Sequence, residues 1–280
     1  MVKIITDYGY CYGVESAIAK MKKASSSFSK LYLTHPLIHN TQENEALMKE
    51  ANASFLEKEV PYCEKNGILL SAHGHSLEEE KEAEKHGKIL DATCPLIVSR
   101  YQRIPKEESD ISFLYLGKAK HQETVGFLSH FPYFTLLSSE KDLLPQLSAL
   151  SLKKKSVFVP QTTVSEEAYN KVLTYLKDRS EVVFTLPICP IYGRRTQQAL
   201  EALKDVDPLK SYFLVCGDKS SSNANEIASA IQKAYPLLKV AIVLKADSTL
   251  KQETAGRDIY IGSATSVSRE TVEALADSLS

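Results

Sequence analysis

No apolar run in the 280 residues approaches the roughly 18 that a membrane helix needs. The opening residues, Met1-Val2-Lys3-Ile4-Ile5-Thr6-Asp7, read as a short strand and a polar break, without the longer apolar stretch of a secretory leader. The expectation is a soluble cytoplasmic protein. Charge of one sign is missing too: 34 Lys and Arg stand against 35 Asp and Glu, a net charge of −1. That argues against a chain that works on nucleic acid or an anionic membrane, and leaves room for a local phosphate site. There is no CxxC knuckle, no HExxH zinc motif and no low-complexity linker. The 5 cysteines are an odd number in a chain expected in a reducing compartment, so a disulfide framework is not expected.

What is present is ordinary globular composition, 43% hydrophobic and 25% charged, which excludes a disordered chain and a coiled coil. The length suggests two or three folding units. Strand-like runs at Val2–Thr6, Lys30–Leu33, Gly67–Ala72, Lys88–Asp91, Ile111–Leu116, Val157–Pro160, Ser211–Cys216, Lys239–Leu244 and Asp258–Ile261 alternate with helical segments. Ser76-Leu77-Glu78-Glu79 is a capping box with Gly87 beyond its helix, Ser165 caps a helix running to Arg179, and Asn223–Tyr235 has helical periodicity stopped by Pro236. Lys153-Lys154-Lys155 reads as a solvated turn before a strand. Such alternation predicts an α/β fold with mostly parallel sheets.

The residues after the strands are unusual. His73, Cys94, His121, Glu123, Thr162, Ser220 to Asn223 and Ser266 each follow a strand end, where ligands bind in open α/β sheets. Cys11, Cys94 and Cys189 recur at similar spacing, each after an apolar stretch and before a helix. This predicts three small α/β units, 1–94, 95–188 and 189–280, with the C-terminus returning to the first. Three thiolates at one point would bind a soft metal or an iron–sulfur cluster, and three separately buried cysteines would leave the same pattern. Cys63 and Cys216 read as structural. Imidazoles, serine hydroxyls, an asparagine amide and a helix N-terminus together suit a phosphate group, although Ser220-Ser221-Ser222-Asn223 is equally a plain cap run. His121-Gln122-Glu123 could pair an imidazole with a carboxylate for proton transfer, or could open a surface helix. His35, His75, His86 and His130 read as solvent or turn residues. A phosphate-site hydrolase or transferase, with or without zinc, and a catalytically silent ligand-binding protein are the competing classes.

Taken together, Gly9-Tyr10-Cys11-Tyr12-Gly13-Val14, Ile38-His39-Asn40, Ser71-Ala72-His73-Gly74, Asp91-Ala92-Thr93-Cys94-Pro95-Leu96, His121-Gln122-Glu123, Gln161-Thr162-Thr163, Ile188-Cys189, Ser221-Ser222-Asn223-Ala224-Asn225 and Ser266 form an ordered set along nearly the whole chain. It resembles the 4-hydroxy-3-methylbut-2-enyl diphosphate reductase (LytB) family, which acts last in the methylerythritol phosphate route to isoprenoids. The resemblance implies three α/β units arranged pseudo-threefold around a central cavity. It implies a [4Fe–4S] cluster on Cys11, Cys94 and Cys189, and a diphosphate held by His39, His73, Ser221, Asn223 and Ser266, with Ser222 adjoining. It assigns His121, Glu123 and Thr162 to the allylic alcohol and its protons, in a reductive dehydroxylation giving isopentenyl and dimethylallyl diphosphate. A ferredoxin- or flavodoxin-type donor and a monomer or dimer are implied as well. The sequence departs from the family pattern at Asp7-Tyr8, where Pro-Arg is usual, and at Tyr12, where Ala is usual. It departs again at Pro190–Thr196, in place of Tyr-Ala-Thr-Thr-Asn-Arg-Gln, and at Ser268, where Pro is usual.

Overall fold

Side chains set the helix starts. Ser76, Ser165 and Ser221 each accept, at their hydroxyl oxygens, the backbone N–H three residues on, from Glu79, Ala168 and Ala224, at 3.1, 3.2 and 3.3 Å. This is how serine satisfies donors that a first helical turn leaves unpaired. A computed structural model describes residues 1–280 except Thr6 and His39, and Tyr192 by its backbone alone. The strands are β1 (Val2–Ile4), β2 (Lys30–Leu33), β3 (Ala53–Phe55), β4 (Asn66–Leu70), β5 (Lys88–Asp91), β6 (Ile111–Gly117), β7 (Thr135–Ser138), β8 (Lys155–Pro160), β9 (Glu181–Thr185), β10 (Ser211–Cys216), β11 (Lys239–Val243) and β12 (Asp258–Ser263). The helices are α1 (Tyr12–Ser25), α2 (Thr41–Glu50), α3 (Leu77–Ala83), α4 (Pro95–Tyr101), α5 (Gln122–His130), α6 (Leu143–Ser148), α7 (Glu166–Lys177), α8 (Pro190–Ala202), α9 (Ser222–Ala234), α10 (Ser248–Thr254) and α11 (Arg269–Leu279).

The strands form three sheets of four, ordered β1-β12-β10-β11, β3-β2-β4-β5 and β7-β6-β8-β9. Every pairing is parallel, as the α/β reading requires. The central strands β4, β8 and β10 are apolar nearly throughout and buried, because helices cover both faces of a parallel sheet. Strands β3, β7 and β9 have no counterpart in the sequence reading. Each is a short edge strand with some exposed positions, so no continuous apolar run announces it. The basic run is partly strand, since β8 opens at Lys155.

The sheet of β2 to β5 lies within residues 1–94 and that of β6 to β9 within 95–188. The third takes β10, β11 and β12 from 189–280 and β1 from the other end of the chain, with Val2 opposite Ile259 and Ile4 opposite Ile261. By contacts the chain divides into two compact units. One, here the β1 unit, is Met1–Glu15, Ile38–Leu47 and Pro190–Ser280; the other, the β4 unit, is Ser16–Leu37 and Met48–Cys189. In the β4 unit, one face of the β6–β9 sheet packs Leu114, Leu116 and Phe158 against Val172 and Leu176 of α7, and the other packs Tyr115 and Val157 against Phe127 of α5. Of the four histidines expected in turns or solvent, His86 lies in a turn yet is buried, and His75 is largely enclosed. His86 is 6% exposed with Nδ1 on the Val60 carbonyl, and the His75 side chain is 11% exposed, between Glu80 at 3.5 Å and Asp91 at 4.0 Å.

Candidate functional site

Because each sheet is parallel, all its strands deliver their following loops to one edge, and the loops after β1, β4, β5, β6, β8, β9, β10 and β12 carry the chemistry-bearing residues. In the β4 unit the loop after β6 ends at His121, the N-cap of α5. Its Nδ1 accepts the backbone N–H of Glu123 at 3.2 Å, which leaves Nε2 to carry the ring proton. The His73 ring stands edge-on to it, centroids 5.9 Å apart. Glu123, on the first turn of α5, is 4% exposed. Oε1 accepts the Thr162 backbone N–H at 2.8 Å and Oε2 the Thr162 hydroxyl at 2.6 Å. Gln161 fastens the two strand ends that make this possible: its Oε1 accepts from the Lys118 N–H at 2.9 Å and the Thr124 hydroxyl at 3.3 Å.

Burial pushes the Glu123 carboxyl above the usual carboxylate range, while the Arg100 guanidinium and the two Thr162 donors pull the other way. The hydroxyls of Tyr101 and Tyr115 are buried nearby, and burial and the Glu123 charge raise both phenols. A neutral Glu123 keeps its place, since its O–H can donate to a turned Thr162 hydroxyl while the backbone N–H still holds Oε1. The pair is therefore built to hold a proton or release it. Arg100, on α4, is 6% exposed. Its Nη1 donates to the Pro187 carbonyl at 2.6 Å and its Nη2 to the Pro160 carbonyl.

Among the described residues no cysteine is in a disulfide. Cys94 is the N-cap of α4, and Cys11 and Cys189 immediately precede α1 and α8. All three are partly exposed, at helix starts. Cys216 differs: burial, and then the Glu43 carboxylate, push its thiol up to about 12, so it stays protonated in the core. Among the described residues no group of three or more His, Cys, Asp or Glu side chains is gathered closely enough to hold a metal ion. The donor set, three accessible thiols at helix starts, fits a soft metal or an iron–sulfur cluster in its chemistry.

In the β1 unit, Ser221 caps α9 and Ser222 opens it. Asn223 accepts the Thr265 N–H at Oδ1, 2.9 Å away. Its Nδ2 and the Ser266 hydroxyl are buried with no hydrogen-bond partner among the described residues. Unpaired buried donors are rare, and a pair of them beside a helix N-terminus suits an anion. His39, expected with this group, lies outside the described residues. The Cys11 N–H donates to the Thr265 carbonyl at 3.1 Å, tying the cysteine to the same segment.

Two of the departures from the family pattern, Asp7 and the stretch after Cys189, meet each other. Asp7, in the left-handed region at φ 64°, accepts from Arg194 at 2.7 and 2.6 Å and lies 3.8 Å from Arg195. Arg195, 5% exposed, donates to the carbonyls of Ser263, Ala264 and Gly9 at 3.2, 2.9 and 2.7 Å. Gly9 has φ 91°, and a Cβ there would meet Arg269 Cγ at 2.5 Å, so only glycine fits. Ser268, the N-cap of α11, donates its N–H and hydroxyl to Glu43 at 3.2 and 2.9 Å. Glu43 also accepts from Tyr10 at 2.5 Å and from the Thr271 hydroxyl. Glu43→Ala strands these donors and is expected to cost about 1–3 kcal/mol, read from urea unfolding. Unchanged stability would show that the network is replaced by water.

Sequence reasoning missed Arg100, Arg195, Glu43 and Tyr10. A signal existed for the arginines: each stands six residues after a motif cysteine, Cys94 or Cys189.

Comparison with known proteins fits these features. A family model described as LytB protein matches residues 2–280. A 4-hydroxy-3-methylbut-2-enyl diphosphate reductase of Nitratiruptor sp. is 28% identical over 241 residues, covering 84% of this chain and 82% of that one. One from Chlamydia trachomatis is 30% identical over 234 residues, 80% of this chain and 73% of that one. The solved E-1-hydroxy-2-methyl-but-2-enyl-4-diphosphate reductase of Plasmodium falciparum superposes with a TM-score of 0.80 at 25% identity, covering 98% of this chain and 86% of that one.

Proposed function

This chain belongs to the LytB protein family, and on that premise we propose that it is a 4-hydroxy-3-methylbut-2-enyl diphosphate reductase. It removes the allylic hydroxyl of its substrate as water, giving isopentenyl and dimethylallyl diphosphate in the methylerythritol phosphate route. Two electrons and two protons enter; one proton leaves in the water and the other ends on carbon. The observation that carries this reading is the buried Glu123–Thr162 pair, a carboxyl pushed up by burial and bonded to a backbone N–H and a hydroxyl. Cys11, Cys94 and Cys189 are the proposed ligands of a [4Fe–4S] cluster, which when bound supplies electrons and an open Lewis-acidic iron.

The chain's own residues do the rest. Ser266 and Asn223 present buried donors to the diphosphate, with Ser221, Ser222 and the α9 N-terminus, and His39 and His73 add imidazoles. That grip uses binding remote from the reacting carbon to position the alcohol. His121 and Thr162 orient the alcohol, and Glu123 donates the proton that makes hydroxide a leaving water. The electron donor is a ferredoxin- or flavodoxin-type protein, and the enzyme works in the cytoplasm as a monomer or dimer. No helix among the described residues is long and apolar enough to cross a membrane.

The test is anaerobic purification, iron analysis, and a dithionite-driven assay with the allylic diphosphate. A brown protein that makes both products supports the reading; an iron-replete protein that leaves the substrate intact overturns it. Asn223→Ala is expected to raise KM on the order of tenfold or more, one charge-assisted contact being worth about 1.5–3 kcal/mol, with iron content unchanged. An unmoved KM removes Asn223 from the diphosphate site.

A further inference from the structure

The two buried arginines share a pattern of contacts in different units, Arg195 adding the Ser263 carbonyl and the Asp7 carboxylate. Arg100 sits on the helix that follows Cys94, and Arg195 on the helix that follows Cys189. In the β4 unit, the guanidinium of Arg100 holds the carbonyls of Pro187 and Pro160. Each of these lies two residues before a proposed site residue, Cys189 and Thr162 respectively. In the β1 unit, the guanidinium of Arg195 holds the carbonyls of Gly9 and Ala264. These again lie two residues before site residues, Cys11 and Ser266. Each arginine therefore joins one cysteine segment to one hydroxyl segment. The segments it joins are far apart in sequence, and a separate backbone bond also links each pair: Cys189 N–H to the Thr162 carbonyl at 2.8 Å, and Cys11 N–H to the Thr265 carbonyl at 3.1 Å.

A rigid planar fork with several fixed donors suits this task, and burial makes each charge-assisted bond count. The Asp7 carboxylate stands 3.8 Å from Arg195, and Arg100 donates to the carbonyls of Pro187 and Pro160. Each guanidinium places a buried positive charge beside elements that carry an acid in one unit and anion donors in the other.

We propose that Arg100 and Arg195 are matched positioning residues, Arg100 setting the Cys189 segment against Thr162 and its partner Glu123, and Arg195 setting the Cys11 segment against Ser266. This rests on the function proposed above and assigns each arginine a distinct share of it. Arg100 governs the proton-donating side, so its loss lowers kcat. Arg195 governs the diphosphate side, so its loss weakens anion binding.

The experiment compares Arg100→Met and Arg195→Met in the full chain, purified anaerobically, by steady-state kinetics and by calorimetric titration with inorganic pyrophosphate. Arg195→Met is expected to weaken pyrophosphate binding on the order of tenfold or more and to raise KM. Arg100→Met is expected to bind pyrophosphate as the native chain does and to lose kcat by about a hundredfold, the loss that a misplacement of about 1 Å can cause. Equal effects of both variants on both readouts, or native values in both, overturn the proposal. Should a Met variant not fold, Arg100→Lys and Arg195→Lys carry the same comparison, because lysine keeps the charge but not the fork. If the native chain itself does not bind pyrophosphate, the functional reading fails; if it binds and Arg195→Met leaves that binding unchanged, only the present inference does.

Discussion

Glu123→Gln is expected to keep its iron, to bind substrate as the native chain does, and to lose turnover by about 10²–10⁴, the usual worth of a positioned general acid. Glutamine preserves size and can still accept the Thr162 N–H, so the loss isolates the proton. Steady-state kinetics with dithionite, alongside iron analysis, check it; near-native turnover in an iron-replete variant moves the acid role to His121 or a water. The pH dependence has a definite sign. Burial raises the folded-state pKa of Glu123, so the proton-donating form is lost as pH rises through that raised value, and activity falls on that side. Stability follows the same sign: the contribution of a carboxyl raised on folding is whole below its ordinary pKa and disappears as pH rises through the raised one. The Gln variant does not titrate there, so in urea unfolding it gains on the native chain at the higher pH. A stability difference that is flat with pH would mean that Glu123 titrates alike in both states.

Cys94→Ala is expected to abolish turnover and to lose iron during purification, while Cys63→Ser, an exposed position outside the site, keeps both. Cys94 is partly exposed at a helix start, and alanine there removes little packing, so the far-ultraviolet circular dichroism is expected to stay native. Iron and sulfide analysis with visible absorption reads the result. Full iron retention and native absorption in Cys94→Ala would remove it from the ligand set.

Most of the fold was legible because buried parallel strands are nearly unbroken apolar runs: Ser211–Cys216 and Lys30–Leu33 were bounded to the residue. The edge strands β3, β7 and β9 were not, since half-exposed positions interrupt their apolar pattern. Glu123, Thr162, Asn223 and Ser266 were legible as strand-end residues of unusual chemistry. Arg100 and Arg195 were not, because an arginine on an amphipathic helix reads as surface. The spacing of six residues from Cys94 marks Arg100 as unusual but does not tell that it turns inward to carbonyls 60 and 87 residues away. Glu43 was hidden for the same reason: its bonds to Ser268 and Thr271 span 225 and 228 residues.

The pairing of β1 with β12 sets a schedule for synthesis on the ribosome. Gly9, two residues before Cys11, hydrogen-bonds Ser263, 254 residues downstream, and Cys11 itself hangs on the Thr265 carbonyl. The β2–β5 and β6–β9 sheets, by contrast, are complete well before the last stretch is made. Cys11 thus reaches its native setting only once β12 and the residues after it are made, because a contact this distant waits on closure of a very long loop. Nascent fragments therefore carry Cys11 on an unanchored leading segment, and a truncation before β12 leaves it there for good.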